Sequence, residues 1–539
     1  MEHYRDFEPT FGDVEMWTLP RILRERARTH ADRGFLELPF QDRGYSFIEA
    51  LGLSETIAAG FVRAGLAHGD RLVIMAGNRA EYVLAWFGSA FAGLVEVPMN
   101  TAYRGSFLEH QVRTTAPRAL AIDARFADLF LDGSDAYETI ELVWIFGKGP
   151  EVDAAIAAVR KSGRVAERFD VLLAAQPTPL PCVGERDLAA IFFTSGTTGL
   201  SKGVMMSHAQ MAFFADQGRA LTRLTDTDAY MSVGPLFHGN AQFLAIYPAL
   251  IAGARAVVQD RFSATRWLDQ IRSTGTTVTN LIGVMTDFVW NQPRTGHDAD
   301  NLLRCVYSVP TATTILPAFK ERFGVEAFVE SFGSTEASLP IMCPYGEERP
   351  AGAAGRLVDE WFDIRIVDSD TDRELPVGEA GELITRTKIP WTMFSGYYGM
   401  PDRTLESFRN LWFHTGDAVR RDADGWYYFV DRLKDTIRRR GENISSYEIE
   451  QAVMQHAEIE DCAAVASPAA AEAGEDEVAI FVVTADSSSL SVDDVREWCN
   501  DRLPAFALPE IIRVVDSLPY TPSGKVRKAV LRESLLTTR

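Results

Sequence analysis

Short apolar runs alternate with stretches of helical periodicity through the N-terminal part of the chain. "RLVIMAGNRAEYVLAWFGSAFAGLVEVPMN", starting at Arg71, predicts strand, helix and strand, with Asn78 and Glu81 spaced as an N-cap and capping box. "ALAIDARFADLF" and "ELVWIFG" continue the alternation, and "AYMSVGPLF", "ARAVVQD", "VTNLIGV" and "LRCVYSV" resume it further on. Strands separated by helices predict parallel sheets covered by helices. From about Gly352 the texture changes to short strands, "DIRIVD", "GELITR" and "WFHTGDAVRRDADGWYYFVD", which predict an antiparallel, barrel-like part. Within it "DADG" resembles the start of a calcium loop but lacks the later glutamate, so a hairpin turn at Asp424-Gly425 is expected. The last hundred or so residues alternate again and predict a small α+β domain. The expected fold is α/β: a large N-terminal domain over 1–433, with two helix-covered, mainly parallel sheets and a small β-barrel-like subdomain, then an α+β C-terminal domain over 434–539. The junction falls in "DRLKDTIRRRGEN".

Composition narrows the function classes. A chain of 539 residues exceeds one ordinary core, so several domains are expected. Its net charge of −21 argues against nucleic acid as the main partner, while leaving room for a local basic site. Cys182, Cys305, Cys343, Cys462 and Cys499 are scattered without metal-ligand spacing. The opening "MEHYRDFEPT" has no apolar core of a signal peptide, and "LAIYPALIAGA" is too short to span a bilayer, so a cytoplasmic location is expected.

The chemistry centres on "TSGTTGLSKG", Thr194 to Gly203, which lies between two expected strands, "LAAIFF" and "VMM". Glycines let backbone N–H groups close round an anion, hydroxyls add donors and Lys202 adds charge, so the loop reads as a phosphate grip. It is not a Walker A loop, because Ser201 stands where the second glycine belongs. "GLSKG" has the letters of a hydrolase nucleophile elbow, but it lies too far past its strand and a strand, not a helix, follows. Ser207 with Gln210 is expected to cap the next helix.

Further stretches follow in a fixed order: "PLFHGN", "SFGSTEA", "HTGD", "DRLKDTIRRRGEN" and "TPSGKVRK". With the glycine loop they resemble the motifs of the adenylate-forming superfamily (acyl-CoA synthetases, adenylation domains and firefly luciferase), in its acyl-CoA synthetase branch. The resemblance implies ATP, Mg²⁺ and coenzyme A, and a C-terminal domain that moves between half-reactions. It places Ser195, Gly196, Thr197, Thr198, Gly199 and Lys202 on the phosphates. Ser331, Phe332, Gly333 and Thr335 would line the adenine and α-phosphate, and Asp417 and Arg432 would hold the ribose. It assigns Glu336 and Thr194 to Mg²⁺, Thr194 and Lys202 also to catalysis, Lys434 to the hinge, Lys525 to adenylation and Gly441 to the passage of the pantetheine arm.

The same resemblance places His238 between acyl pocket and thiol tunnel. The pocket itself is expected to be lined by Gly239, Asn240, Gln242, Ser308, Val309, Pro310 and Gly333. His238 stands where amino-acid-activating domains carry an aspartate, which disfavours an α-amino acid. Gly333 stands where acetate-specific relatives carry tryptophan, which implies an acid larger than acetate. No counter-charge is visible in the lining, so a neutral acyl tail is expected. The family usually has proline before the loop lysine; Ser201 there predicts a somewhat more mobile loop. The expected activity is an AMP-forming acyl-CoA synthetase, with a carboxylic acid and CoA as partners. A carrier-protein acceptor, a catalytically silent nucleotide-binding homologue and a homodimer remain open at this stage.

Overall fold

A computed structural model describes residues 3–131, 133–194, 200–282, 285–309, 315–432, 436–439, 442–468, 476–484, 490–520 and 526–536. It divides into two compact units. The first comprises Met1–Thr101, Thr115–Phe192 and Val204–Val430; the second comprises Ala102–Thr114, Phe193–Gly203 and Asp431–Arg539. Two short N-terminal segments, one of them around the glycine loop, thus cluster with the C-terminal part rather than with their sequence neighbours.

Two seven-stranded sheets carry the first unit. One has the order Val165–Arg168, Leu142–Phe146, Ala119–Asp123, Arg71–Met75, Val95–Pro98, Leu188–Thr194 and Lys202–Ser207. The pairings from Val165–Arg168 through Leu188–Thr194 are parallel. The other sheet runs Ala327–Val329, Cys305–Val309, Val278–Ile282, Ala229–Ser232, Arg255–Val258, Gly34–Leu38 and Arg43–Ser46. It is parallel except for its last, antiparallel pair. The apolar runs of the sequence are these strands. Val95–Pro98 is buried at every position, as a strand covered on both faces must be.

The helix His208–Leu221 is almost wholly buried and carries two buried glutamines, Gln210 and Gln217. Buried amides need partners. Gln217 donates to the Leu339 carbonyl at 2.7 Å and accepts from the Leu339 N–H at 3.1 Å. Gln210 donates to the carbonyls of Thr335, at 2.8 Å, and Glu336, at 3.3 Å. The expected cap holds in half: Ser207 Oγ accepts from the Gln210 N–H at 3.2 Å, but the Gln210 side chain goes to this hairpin instead of returning to the cap. The Asn78 cap is not formed. Helix Ala80–Phe91 begins after Arg79 without a side-chain cap, and Asn78 bonds the Leu236 N–H and the carbonyls of Gly234 and Gln259. The asparagine is drawn to the "VGPLF" stretch because that backbone lies in no sheet and needs partners.

The antiparallel part is a four-stranded sheet, Phe362–Val367, Ala380–Thr387, Phe413–Arg421 and Tyr427–Arg432, beside a three-stranded one, Ser331–Ser334, Ser338–Met342 and Arg356–Leu357. The turn at Asp424-Gly425 is present: Gly425 has φ 82°, and Asp422 Oδ1 accepts from the N–H groups of Asp424 and Trp426.

In the second unit, Ile459–Pro468, Asp476–Thr484 and Ile511–Val514 form a sheet flanked in sequence by helices Ser446–Val453, Val492–Arg502 and Lys528–Leu536. Phe107 joins its apolar core, and Tyr103 packs against that core with its ring 6.3 Å from that of Phe506. No helix among the described residues is long and apolar enough to cross a membrane.

Candidate active site

In the first unit the site is built on a hairpin. Ser331 pairs with Met342 and Phe332 with Ile341, then the register shifts and Ser334 pairs with Ser338. The tip is therefore Thr335, Glu336 and Ala337, closed by Ser338 at φ 56°. A three-residue loop followed by a left-handed residue is a favoured hairpin connection, although glycine is usual there. Ser338 Oγ donates to the Thr392 carbonyl at 2.9 Å and holds that conformation. The tip is braced from outside by Gln210 and by the Phe394 N–H, which donates to the Glu336 carbonyl at 2.9 Å. The Tyr397 hydroxyl donates to Glu336 Oε1 at 3.1 Å, and burial together with that carboxylate raises the phenol above its usual range. Ser331 Oγ lies 3.0 Å from the Tyr307 hydroxyl, and half-buried Phe332 faces Phe429 at 6.4 Å between ring centroids.

The structure changes the reading of Gly333. A Cβ there would run into the Ser338 carbonyl oxygen and lie 2.8 Å from Leu339 Cδ2. Glycine at 333 thus has a reason in the hairpin's own backbone, beside the one the resemblance implies for the acyl pocket.

"HTGD" occupies a bulge. Glu382 pairs with Ala418 but Ile384 with His414, leaving Thr415, Gly416 and Asp417 as the longer side. Gly416 takes φ 72°, which admits the bend. Its N–H donates to Glu382 Oε1 at 3.1 Å, Thr415 Oγ1 donates to the Leu383 carbonyl at 2.7 Å, and the Asp417 N–H donates back to Thr415 Oγ1 at 3.1 Å. His414 Nδ1 lies 2.9 Å from Glu382 Oε2. The bulge fixes the backbone from which the largely buried Asp417 projects.

The expected acyl-pocket residues fall on neighbouring elements. His238 lies beside Phe237, ring centroids 4.7 Å apart, and immediately precedes the short helix Gly239–Ala241. Gln242 opens a π-helical turn, Gln242–Ile246. Such turns are rare and recur at functional sites. Asn280 bonds Asn240, and buried Ser308 faces Thr286 at 3.3 Å. Val309 ends the strand Cys305–Val309. Pro310 lies outside the described residues, as do Ser195, Gly196, Thr197, Thr198, Gly199, Lys434, Gly441 and Lys525. Arg432 ends its strand.

In the second unit, Ser201 is fixed from both sides. Its N–H donates to Glu448 Oε1 at 2.9 Å, and its carbonyl lies 2.8 Å from His110 Nε2. Proline at this position has no N–H to give. The serine that departs from the family pattern thus ties down the backbone before Lys202 instead of loosening it. Burial pushes the Glu448 carboxyl up to about 7 against the opposing pull of that N–H, and burial pulls His110 down. A carboxyl raised on folding costs stability between its free pKa of about 4.5 and about 7, and the cost is constant above that window. Glu448→Gln keeps an oxygen for Ser201 but cannot ionise. Its melting temperature should fall less than that of the parent chain between pH 5 and 7.5, by an amount worth about 2–3 kcal/mol. Parallel melting curves would refute the buried, raised carboxyl.

Sequence reading missed the two glutamines that brace the hairpin, Tyr397, and the Glu448–Ser201–His110 tie. It also missed Glu96, a fully buried acid on Val95–Pro98 whose Oε1 accepts from Gln242 Nε2 at 2.9 Å. Burial raises that carboxyl to about 8. One acid inside the apolar run "GLVEVP" was the available signal.

Comparison with known proteins decides the family. The AMP-binding enzyme model matches residues 23–398, and the AMP-binding enzyme C-terminal domain model matches residues 448–525. The chain belongs to the AMP-binding enzyme family. A relative, the crotonobetaine/carnitine–CoA ligase of Salmonella typhi, is 31% identical over 479 residues, 88% of this chain and 90% of that one. The o-succinylbenzoate CoA synthetase of Bacillus subtilis superposes with a TM-score of 0.79 at 22% identity, covering 95% of this chain and 98% of that one. An anthranilate CoA ligase in complex with anthranoyl-AMP superposes with a TM-score of 0.70 at 23% identity, covering 96% and 97%. The chain is an adenylate-forming, ATP-dependent acid–CoA ligase of the acyl-CoA synthetase branch.

Proposed function

We propose that this ligase activates a carboxylic acid larger than acetate in two half-reactions, using the residues expected from the motifs. A carboxylate oxygen of the acid attacks the α-phosphorus of ATP, the bond to the bridging oxygen breaks, and pyrophosphate leaves. The CoA thiolate then attacks the acyl carbonyl, the acyl–oxygen bond breaks, and AMP leaves. The first step exchanges oxide, a poor leaving group, for AMP.

The observation that supports this reading best is the braced hairpin tip. It holds Thr335 and a largely buried Glu336 on a backbone pinned by Gln210 and Phe394, so donors and charge need little reorganisation during reaction. Asp417, on its bulge, is the acceptor proposed for the ribose hydroxyls, with Arg432 of the junction motif as a second ribose contact. Phe332 and Ser331 flank the adenine, and Thr194, Lys202 and residues 195–199 take the phosphates. The donor set suits Mg²⁺, which favours one or two carboxylates and completes its shell with phosphate and water oxygens. Glu336 and Thr194 would hold it, and it would supply charge neutralisation at the phosphates. An acid larger than acetate accords with the names of the relatives.

Pyrophosphate release from MgATP against a panel of acids, with and without CoA, tests the reading. Release with one acid class, and thioester only when CoA is present, is the expected result. Adenylate accumulating despite CoA would move the acceptor to a carrier protein. ATP binding without release for any acid would mark a silent homologue.

A further inference from the structure

Glu96 is fully buried, and the described groups that act on it, Gln242 and Tyr82, are both neutral. Four other buried acids have a cation beside them. Asp216 faces Arg219, Asp228 faces Arg304, Asp298 faces Arg322, and Glu81 faces Arg79 and Arg43. A buried carboxylate without a counter-ion is strongly disfavoured, and Glu96 shares that state with Glu448, whose Oε1 accepts from the Ser201 N–H.

Its surroundings are open on one side of the hydrogen-bond account. Gln242 Nε2 donates to Glu96 Oε1 at 2.9 Å and to the Leu236 carbonyl at 3.0 Å. The Tyr82 hydroxyl donates to the same Glu96 oxygen at 3.5 Å. The Leu236 carbonyl can only accept, which fixes the amide with its nitrogen on that side. Glu96 Oε2 and Gln242 Oε1 are left without hydrogen-bond partners. With the carboxyl ionised these are two acceptors on touching side chains, and they then call for a donor from outside.

The position suits a substrate. Gln242 follows His238 by four residues, and its N–H donates to the His238 carbonyl at 3.4 Å, so the two lie about one helical turn apart, roughly 5 Å. Resting on the proposed pocket at 238–242, we propose that Glu96 and Gln242 are a specificity-determining pair that binds an ammonium at the far end of the acid. The substrate class is a short ω-ammonio carboxylic acid. The N–H groups of the ammonium meet Glu96 Oε2 and Gln242 Oε1, and its charge balances the carboxylate. A carboxyl that burial keeps protonated in the empty site releases that proton as the cation enters. Residues 238–242 and 308–310 carry no counter-charge of their own. Glu96 reaches Gln242 from the strand Val95–Pro98.

The test compares short ω-ammonio acids with isosteres in which methyl replaces ammonium. The readouts are kcat/KM for pyrophosphate release and proton release on binding at pH 7, from calorimetry in two buffers of different ionisation enthalpy. The parent enzyme should prefer the ammonio acid and release about one proton on binding it. Glu96→Gln keeps the oxygen that Gln242 bonds. It should lose about 10–100-fold on the ammonio acid, stay unchanged on the isostere, and release no proton. A parent enzyme that prefers the isostere, or a variant that loses equally on both acids, would overturn the proposal and leave Glu96 a structural acid. Failure of every acid in the wider panel to release pyrophosphate would instead overturn the ligase reading on which the proposal rests. Proton release would still show whether the ammonio acid binds at Glu96.

Discussion

Lys525→Ala should slow acid-dependent pyrophosphate release by about 10²–10³-fold, the usual cost of removing one preorganised donor from a developing charge. Thioester formation from supplied acyl-adenylate and CoA should be nearly unchanged. The asymmetry follows from where charge appears. Attack on the α-phosphorus concentrates negative charge on phosphate oxygens, which an ammonium stabilises. Attack of a thiolate on the acyl carbonyl develops charge first on the carbonyl oxygen rather than at phosphorus, and the electron pair of the breaking acyl–oxygen bond then leaves with AMP. The residues on either side of this lysine's segment are held together, since Tyr520 and Val526 form an antiparallel bridge and the Arg527 N–H donates to the Pro519 carbonyl at 2.7 Å. The variant is therefore expected to fold, and its melting temperature checks this. Equal loss in both half-reactions of a folded variant would remove Lys525 from the adenylation step.

The layered α/β architecture was legible because its strands are continuous apolar runs and its connections are helical, two signals that survive in a single sequence. The hairpin turn at Asp424-Gly425 was legible for a similar reason: its chemistry is local. What was not legible depends on contacts between distant segments. Gln210 was read as a capping residue because its spacing from Ser207 is that of a capping box; only the fold shows the Thr335 and Glu336 carbonyls competing for its amide. Asn78 was likewise drawn from a helix terminus to backbone more than 150 positions away. Ser201 was read as a loosening of a family pattern, because the partner that gives its N–H a purpose, Glu448, lies 247 residues downstream. The family and the acid–CoA ligase activity were carried by motif order, whereas the acid itself depends on side chains such as Glu96 that belong to no motif.

The position where these two kinds of information disagree is Gly333, and its substitution separates them. If glycine were there to keep an acyl pocket open, Gly333→Ala would fold normally and shift the enzyme towards shorter acids. The structure expects otherwise. The new Cβ would collide with the Ser338 carbonyl, a backbone group that cannot swing aside like the end of a side chain. Ser338 is itself held at positive φ by its bond to the Thr392 carbonyl, and Leu339 is fixed by Gln217 on both its N–H and through its own carbonyl. Relief therefore requires opening the hairpin and breaking bonds to a buried helix. The cost should reach about 3 kcal/mol, the upper part of the range for overpacking. Because the displaced segment carries Thr335 and Glu336, pyrophosphate release should fall for every acid alike, long or short. A stable Gly333→Ala enzyme with a shortened acid range would restore the pocket explanation, and a destabilised one with uniform loss would establish that the glycine serves the hairpin that presents Glu336.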